Sequence, residues 1–276
     1  MTNKNLDTKT VESFGDEWKR YNQSSISKSE LKRIFDDYFH IFPKEFLHNE
    51  SECFDMGCGS GRWAQFIAPK VRRLNCIDPS DAINVAQTNL GSYKNVKFYK
   101  ASLDDDVLLE NTQDFGYSLG VLHHVPDTQE AIRSCVKYLK SGSPLLLYLY
   151  YDFDNRSWLY RSIWKLTDLL RRIIILLPAS LKDFVTNVIA IFIYFPLARI
   201  SKLLDAIGIN THFIPLSYYK DTSFYTMRTD ARDRFGTPLE RRFSRKIIAK
   251  MMSESGLTKI KFSDNAPYWC VIGFKE

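Results

Sequence analysis

The chain has 276 residues, a net charge of +6, 45% hydrophobic and 25% charged residues, an ordinary globular balance with enough apolar content for a sizeable core. Its five cysteines (Cys53, Cys58, Cys76, Cys135 and Cys270) are odd in number, scattered and without a C-x-x-C pair, so they suggest neither a disulfide framework nor a zinc site, and free buried thiols in a reducing compartment are expected. The polar start, Met1 to Asp7, has no apolar core and does not read as a secretory signal.

A polar, helical N-terminal stretch carries Phe14, Trp18 and Tyr21, and the helical spacing of apolar residues from Leu31 to Phe42 predicts an amphipathic helix stopped by Pro43. A short strand at 51–56 then runs into a glycine loop, and a helix over 62–68 is ended by Pro69. A second strand, 71–77, ends at Asp78-Pro79-Ser80, and a helix from about 81 to 90 and a strand at 96–99 follow. Residues 114–119 are strand-like, and a helix over 128–139 leads into the continuously apolar run Pro144 to Tyr150, the pattern of a strand buried on both faces. This βα alternation predicts a doubly wound, mostly parallel α/β sheet. The alternation breaks over 151–242, where helical apolar runs and aromatic loops predict a mainly helical cap inserted after the fifth strand. It resumes with a helix at 244–253 and strands at 257–262 and 268–274, for seven strands in all. The expected division is a helical arm (1–50), an α/β core (51–150), the cap (151–242) and the end of the core (243–276).

The central motif is Asp55-Met56-Gly57-Cys58-Gly59-Ser60-Gly61. Glycines let backbone turn tightly and approach a ligand closely. A dinucleotide fingerprint would have glycine where Arg62 stands, and a Walker loop would have Gly-Lys-Ser/Thr, so neither fits. An acid closing the second strand, Asp78, can accept two charge-assisted hydrogen bonds from ribose hydroxyls.

Together with Leu119-Gly120-Val121-Leu122-His123-His124-Val125-Pro126-Asp127, these motifs resemble those of the class I S-adenosylmethionine-dependent methyltransferases, most closely the ubiquinone/menaquinone branch. The likeness covers about 51–150 and 243–274 and implies a Rossmann-like methyltransferase fold with S-adenosylmethionine as cofactor. It implies that Gly57, Cys58, Gly59 and Gly61 line the methionine part, that Asp55 holds the amino group and that Asp78, beside Pro79, takes the ribose. Ser102 and Leu103 would flank the adenine; many relatives have Asp where Ser102 stands, which shifts adenine recognition toward backbone groups. Gly120 to Leu122 would pass the methionine with their backbone, while Trp18 and Tyr21 fold over the cofactor with Arg62 near its carboxylate.

His123 and His124 end the fourth strand, where an imidazole could take a proton near neutral pH. Tyr148, Tyr150 and Tyr151 end the fifth strand, and Tyr225 and Arg228 belong to a polar-aromatic cluster suited to closing over an acceptor, with Arg228 a partner for an anionic group. From Tyr151 to Lys250 there are 17 Lys/Arg against 9 Asp/Glu, or +8, which favours anionic partners. Residues 184–198 carry no charge but fall short of a full span and hold Asn187 and Pro196; a buried cap helix, a homodimer contact and an in-plane membrane contact through 184–200 stay open.

The expected activity is methyl transfer to a small or lipid-linked metabolite, with O-methylation of a hydroxyl or acidic acceptor ahead of C-methylation of a quinone-like ring. A catalytically silent cofactor-binding subunit is the rival from another class. No metal is expected, and no nucleic-acid module or Asn/Asp-Pro-Pro-Tyr/Phe motif is visible. The expected location is the cytoplasm, free or peripheral to a membrane.

Overall fold

The computed structural model describes residues 5–23, 25–211 and 213–276. Seven strands form one sheet: β1 Glu52–Met56, β2 Arg73–Ile77, β3 Val96–Tyr99, β4 Phe115–Leu119, β5 Pro144–Tyr148, β6 Leu257–Phe262 and β7 Cys270–Lys275. Their order is β3-β2-β1-β4-β5-β7-β6, with β7 antiparallel to both neighbours and the other pairings parallel. Each strand lies within a residue or two of the range read from hydrophobic pattern. Leu145, Leu146 and Leu147 are all fully buried, which is why β5 reads as an unbroken apolar run instead of an alternating one.

Ten helices are described: α1 Thr8–Arg20, α2 Lys28–Phe39, α3 Ala64–Ile67, α4 Ala82–Leu90, α5 Thr128–Tyr138, α6 Trp158–Ile174, α7 Ala179–Ile189, α8 Phe195–Ala206, α9 Phe224–Gly236 and α10 Arg245–Glu254. Side-chain caps set several of their starts: Asp7 accepts from the Thr10 N–H, Asp127 from Glu130, Ser223 from Thr226 and Ser244 from Ile247. The chain divides into two compact units. The first holds the N-terminal arm through Gln23, then Leu31–Asp154 and Leu239–Glu276, and so contains the whole sheet. Because β1, β2, β4 and β5 run parallel, their carboxyl ends share one edge, and the strand order reverses between β1 and β4. That crevice is where open α/β sheets bind ligands.

The second unit, Asn155–Pro238 with the start of α2 up to Glu30, is helical. Its core gathers Ile174, Ile189, Ala190, Tyr194, Met227 and Phe235. α7 and α8 join through a π-helical turn at Ala190–Tyr194 into one helical stretch, Ala179–Ala206, long and apolar enough to cross a membrane. About a third of its most apolar window is buried, so the wholly buried helix that the apolar run allowed is not what forms. Its inward face instead carries Lys182, Asp183, Thr186 and Ser201, all buried. Asp183 pairs with Arg232 of α9 at 2.6 Å, and the Lys182 ammonium donates to the Gly236 carbonyl.

A buried ion pair is costly to break from one side. Arg232→Met is expected to lower stability by about 3–5 kcal/mol by leaving Asp183 without its guanidinium. Asp183→Leu combined with Arg232→Met should cost less than Arg232→Met alone. Urea melts of these variants and of Asp183→Leu measure this; losses that simply add would mean that the two side chains are not coupled.

Candidate active site

The glycine loop leaves β1 and folds under two constraints. Gly57 sits at φ +77°, and a Cβ there would lie 2.4 Å from the Val121 side chain. Gly59 sits at φ +53° with the Trp18 indole against it, 3.2 Å from where a Cβ would be. Both positions therefore need glycine for backbone conformation as well as for space.

Asp78, at the end of β2, holds this loop. Its Oδ2 accepts from the Gly59 N–H at 2.9 Å, and its Oδ1 accepts from the Ser80 N–H at 2.8 Å and the Ser80 hydroxyl at 2.6 Å. Burial pushes its carboxyl up, against the pull of these hydrogen bonds. A carboxylate oxygen offers about two acceptor sites, so Oδ2 keeps capacity for one further donor. The motif anticipated a ribose acceptor; Asp78 is also the residue that shapes the loop, a role carried by Ser80 as much as by the glycines.

Asp55, in β1, is different. It is 2% exposed and its Oδ2 has no hydrogen-bond partner among the described residues. Burial pushes its carboxyl up to about 8; the Tyr117 hydroxyl beside it works against this, the Asp78 charge adds to it and the Arg62 charge opposes it. Tyr117 faces Asp55 directly in the β1–β4 pairing, with no hydrogen bond of normal geometry to it. An unsatisfied buried carboxylate costs free energy unless a ligand supplies the donor.

Arg62 lies between two indoles, 4.9 Å from the Trp18 ring centre and 4.5 Å from that of Trp63. Trp18 and Arg62 are thus joined at the loop, while Trp63 escaped the sequence reading. Cys58 is buried, and all five cysteines are free thiols. Ser102 gives its N–H and hydroxyl to Asp105 at 2.8 and 2.9 Å, so its backbone donor is already engaged. Leu103 and Leu122 are buried in the core. Gly120, at φ +79°, donates its N–H to the Tyr148 carbonyl.

His123 and His124 form a single 3-10 turn with Leu122 after β4. His123 is fully buried, stacked 3.9 Å from the Tyr150 ring, and neither ring nitrogen has a hydrogen-bond partner among the described residues. Burial, with the charges of His124 and Arg242, holds it well below the usual imidazole range, so it is neutral. His124 Nδ1 lies 2.6 Å from the Leu239 carbonyl. A carbonyl only accepts, so Nδ1 carries the proton and Nε2 carries the lone pair of the neutral ring. The Phe14 ring meets His124 edge-on at 5.0 Å.

Leu239 belongs to a strap that spacing could not reveal. The Leu239 N–H donates to the Thr10 hydroxyl, Arg241 to the His123 carbonyl and Phe243 to the Tyr150 carbonyl. Tyr148 and Tyr150 lie two residues apart on the same side of the chain, with rings 5.7 Å apart. Tyr151 turns the other way, against Phe153 at 4.5 Å and toward Trp269 at 6.3 Å, and packs on the core. Tyr225 and Arg228 lie on α9 in the second unit, where Arg228 Nε donates to Asn187 at 2.9 Å. No cluster of three or more His, Cys, Asp or Glu suited to a metal occurs among the described residues.

Gly57→Ala is expected to destabilise the protein by on the order of 2–3 kcal/mol, through strained backbone and overlap with Val121. Adding Val121→Ala should recover most of the overlap, its own Cβ remaining 2.9 Å from the new methyl, but not the backbone cost. Thermal melting of the two variants checks both parts.

A family model described as a methyltransferase domain matches residues 54–147. A ubiquinone biosynthesis O-methyltransferase from Nitrosomonas europaea is 30% identical over 121 residues, 42% of this chain and 50% of that protein. One from Coxiella burnetii is 24% identical over 106 residues, 38% of this chain and 44% of that protein. The chain thus spans about half the length of the curated relatives it matches. A solved structure of a possible exported protein from Bordetella parapertussis superposes with a TM-score of 0.51 at 14% identity, covering 90% of this chain and 68% of that one, which bears on fold alone. The matched segment runs from β1 to β5 and contains the glycine loop, the Asp78 turn and the paired-histidine turn at successive strand ends. Residues 54–147 thus match a methyltransferase domain, and their motifs are similar to those of the class I S-adenosylmethionine-dependent methyltransferases.

Proposed function

We propose that the protein methylates a hydroxyl or acidic oxygen of a small or lipid-linked metabolite, with His124 as general base. The observation that carries this reading is the hydrogen bond from His124 Nδ1 to the Leu239 carbonyl. It fixes the tautomer that a base needs, with the lone pair on Nε2. The relatives named as ubiquinone O-methyltransferases support an oxygen acceptor, while C-methylation of a quinone-like ring is the runner-up, in which the proton to be accepted comes from the ring carbon after the methyl is attached.

The residues present fit the cofactor. The unsatisfied Asp55 oxygen suits its ammonium group, the remaining acceptor site on Asp78 Oδ2 suits a ribose hydroxyl, and the glycines at 57 and 59 let the loop turn tightly against Val121 and Trp18. S-adenosylmethionine supplies a methyl group already activated on a sulfonium, whose C–S electron pair leaves with sulfur. The protein then has to orient the acceptor, exclude water and accept one proton. His124 Nε2 takes that proton as the acceptor oxygen forms its bond to carbon. His123 stays neutral and, stacked on Tyr150, fixes the turn that carries His124, whose buried Nε2 an acceptor reaches only once the packing around it opens.

His124→Gln should reduce kcat by about 10²–10⁴-fold and leave cofactor affinity within about twofold. Transfer of label from S-adenosylmethionine to a cell extract, followed by identification of the product, supplies the acceptor for this assay. Turnover unaffected by His124→Gln would remove the base, and absence of any labelled product would favour a silent cofactor-binding subunit.

Asp55 makes binding depend on pH. Its folded pKa of about 8 lies above that of an unfolded carboxyl, near 4. Folding is therefore undisturbed below about pH 4 and loses stability as pH rises toward 8. A cationic group bound beside it favours the ionised form, so cofactor binding below that pKa expels a proton. Affinity should rise with pH from about 6 to about 8, by at most tenfold per unit. Asp55→Asn should bind weakly with no such slope and melt at a higher temperature than wild type at pH 8. Calorimetry in buffers of different ionisation enthalpy reads the released proton directly.

A further inference from the structure

The second unit has an apolar core yet also keeps charge buried beside it and apolar side chains outside. The inward face of its 179–206 helix carries the Asp183–Arg232 ion pair and Lys182. Its outward face carries Phe184, Val188, Phe192, Phe195 and Leu203, with Phe192 72% and Leu203 70% exposed. Helix α6 repeats the pattern. Leu159, Ile163, Leu166, Leu170 and Ile173 follow each other three or four residues apart along one exposed stripe, Leu166 at 70%. Such a stripe normally faces a core, and water-exposed apolar patches of this extent mark interaction surfaces.

The charges indicate what covers it. At about 100° per residue, Arg161, Lys165 and Arg172 form a second row about 140° round α6 from the centre of the stripe, all three exposed, with exposed Leu169 between the two rows. Exposed Trp158 opens the helix, where an amphipathic ring suits a membrane interface. Between residues 155 and 238 there are 12 Lys/Arg against 6 Asp/Glu, so this unit carries +6, equal to the net charge of the whole chain. A symmetric second copy would bring like-charged rows toward each other. An anionic lipid surface neutralises them while accepting the apolar rows. The polar inward face, with Lys182, Asp183 and Arg232 buried against one another, argues for a helix lying in the surface plane and not crossing it.

We propose that the exposed faces of α6 and the 179–206 helix dock the protein on an anionic bilayer, with the apolar rows in the acyl boundary and Arg161, Lys165 and Arg172 among the headgroups. This holds whatever the methyl acceptor is.

The test is flotation of the full chain with phosphatidylcholine vesicles, with and without phosphatidylserine, alongside light scattering in buffer. The protein should float with phosphatidylserine vesicles, less so at high salt, and should sediment with phosphatidylcholine alone. Phe192→Glu with Leu203→Glu should lower the bound fraction at least tenfold. Because both side chains are exposed, melting temperature should stay close to wild type; Phe192→Ser with Leu203→Ser provides a milder pair with the same expected direction. Arg161→Gln with Lys165→Gln should weaken the preference for phosphatidylserine. No flotation with phosphatidylserine vesicles would overturn the proposal. So would equal binding to both vesicle types, or a dimer in buffer that the glutamate pair disperses.

Discussion

Two carboxylates buried at neighbouring strand ends, Asp55 and Asp78, set the terms for the rest of the site. A charge can stay in such a place only where donors or opposite charges replace the water it has lost. Asp78 has three donors from the chain itself, and in accepting them it holds the turn of the glycine loop. Asp55 has an oxygen with none among the described residues. One acid is thus part of the scaffold and the other is a vacancy in the hydrogen-bond pattern, separated by one strand pairing. Under the proposed reading, that oxygen would receive the cofactor's cationic group, an arrangement in which binding and folding stability compete.

The histidine turn is shaped by a different kind of constraint. Its two imidazoles are adjacent in sequence yet chemically unlike. Stacking and burial keep His123 neutral, whereas a single carbonyl from the 239–243 strap settles which nitrogen of His124 carries the proton. The same strap is tied to α1 through Thr10 and to the β5 end through Tyr150. Under the proposed mechanism, the base is therefore oriented by backbone and not by a third catalytic side chain. A substitution anywhere along 239–243 would act on it through position rather than through charge.

What the sequence disclosed follows the range of the forces involved. The β1 loop, Asp78 and the apolar run of β5 depend on neighbours a few residues away, and period and glycine spacing made them legible. Tyr151 also had a local signal: it is one residue from Tyr150, and extended chain sends successive side chains to opposite sides. Reading the three tyrosines as one cluster overlooked that alternation. The Leu239 carbonyl, the Thr10 hydroxyl and the Trp63 ring against Arg62 had no such local mark. Leu239 and Thr10 are 229 residues apart, and nothing in either neighbourhood announces the other. Ser80 was visible only as part of the Asp78-Pro79-Ser80 end of the second strand, and its service to Asp78 shows only once the loop has its shape.

The apolar stretch 184–198 shows the same limit from the other side. Composition gave its hydrophobicity but not its orientation, since the inward pull comes from Arg232, dozens of residues away on α9. Once Asp183 is drawn inward by that guanidinium, helical geometry fixes where everything else on α7 points: residues three and four positions along stay on the same side, and Phe184 and Val188 are turned out. Rolling the helix to bury the phenylalanines would leave Arg232 buried without its carboxylate, at a cost larger than burial of one aromatic side chain returns. The ion pair therefore acts as a register pin, and the outward apolar face is a consequence of the fold's own polar core, which is why it must be accounted for by whatever surrounds the protein.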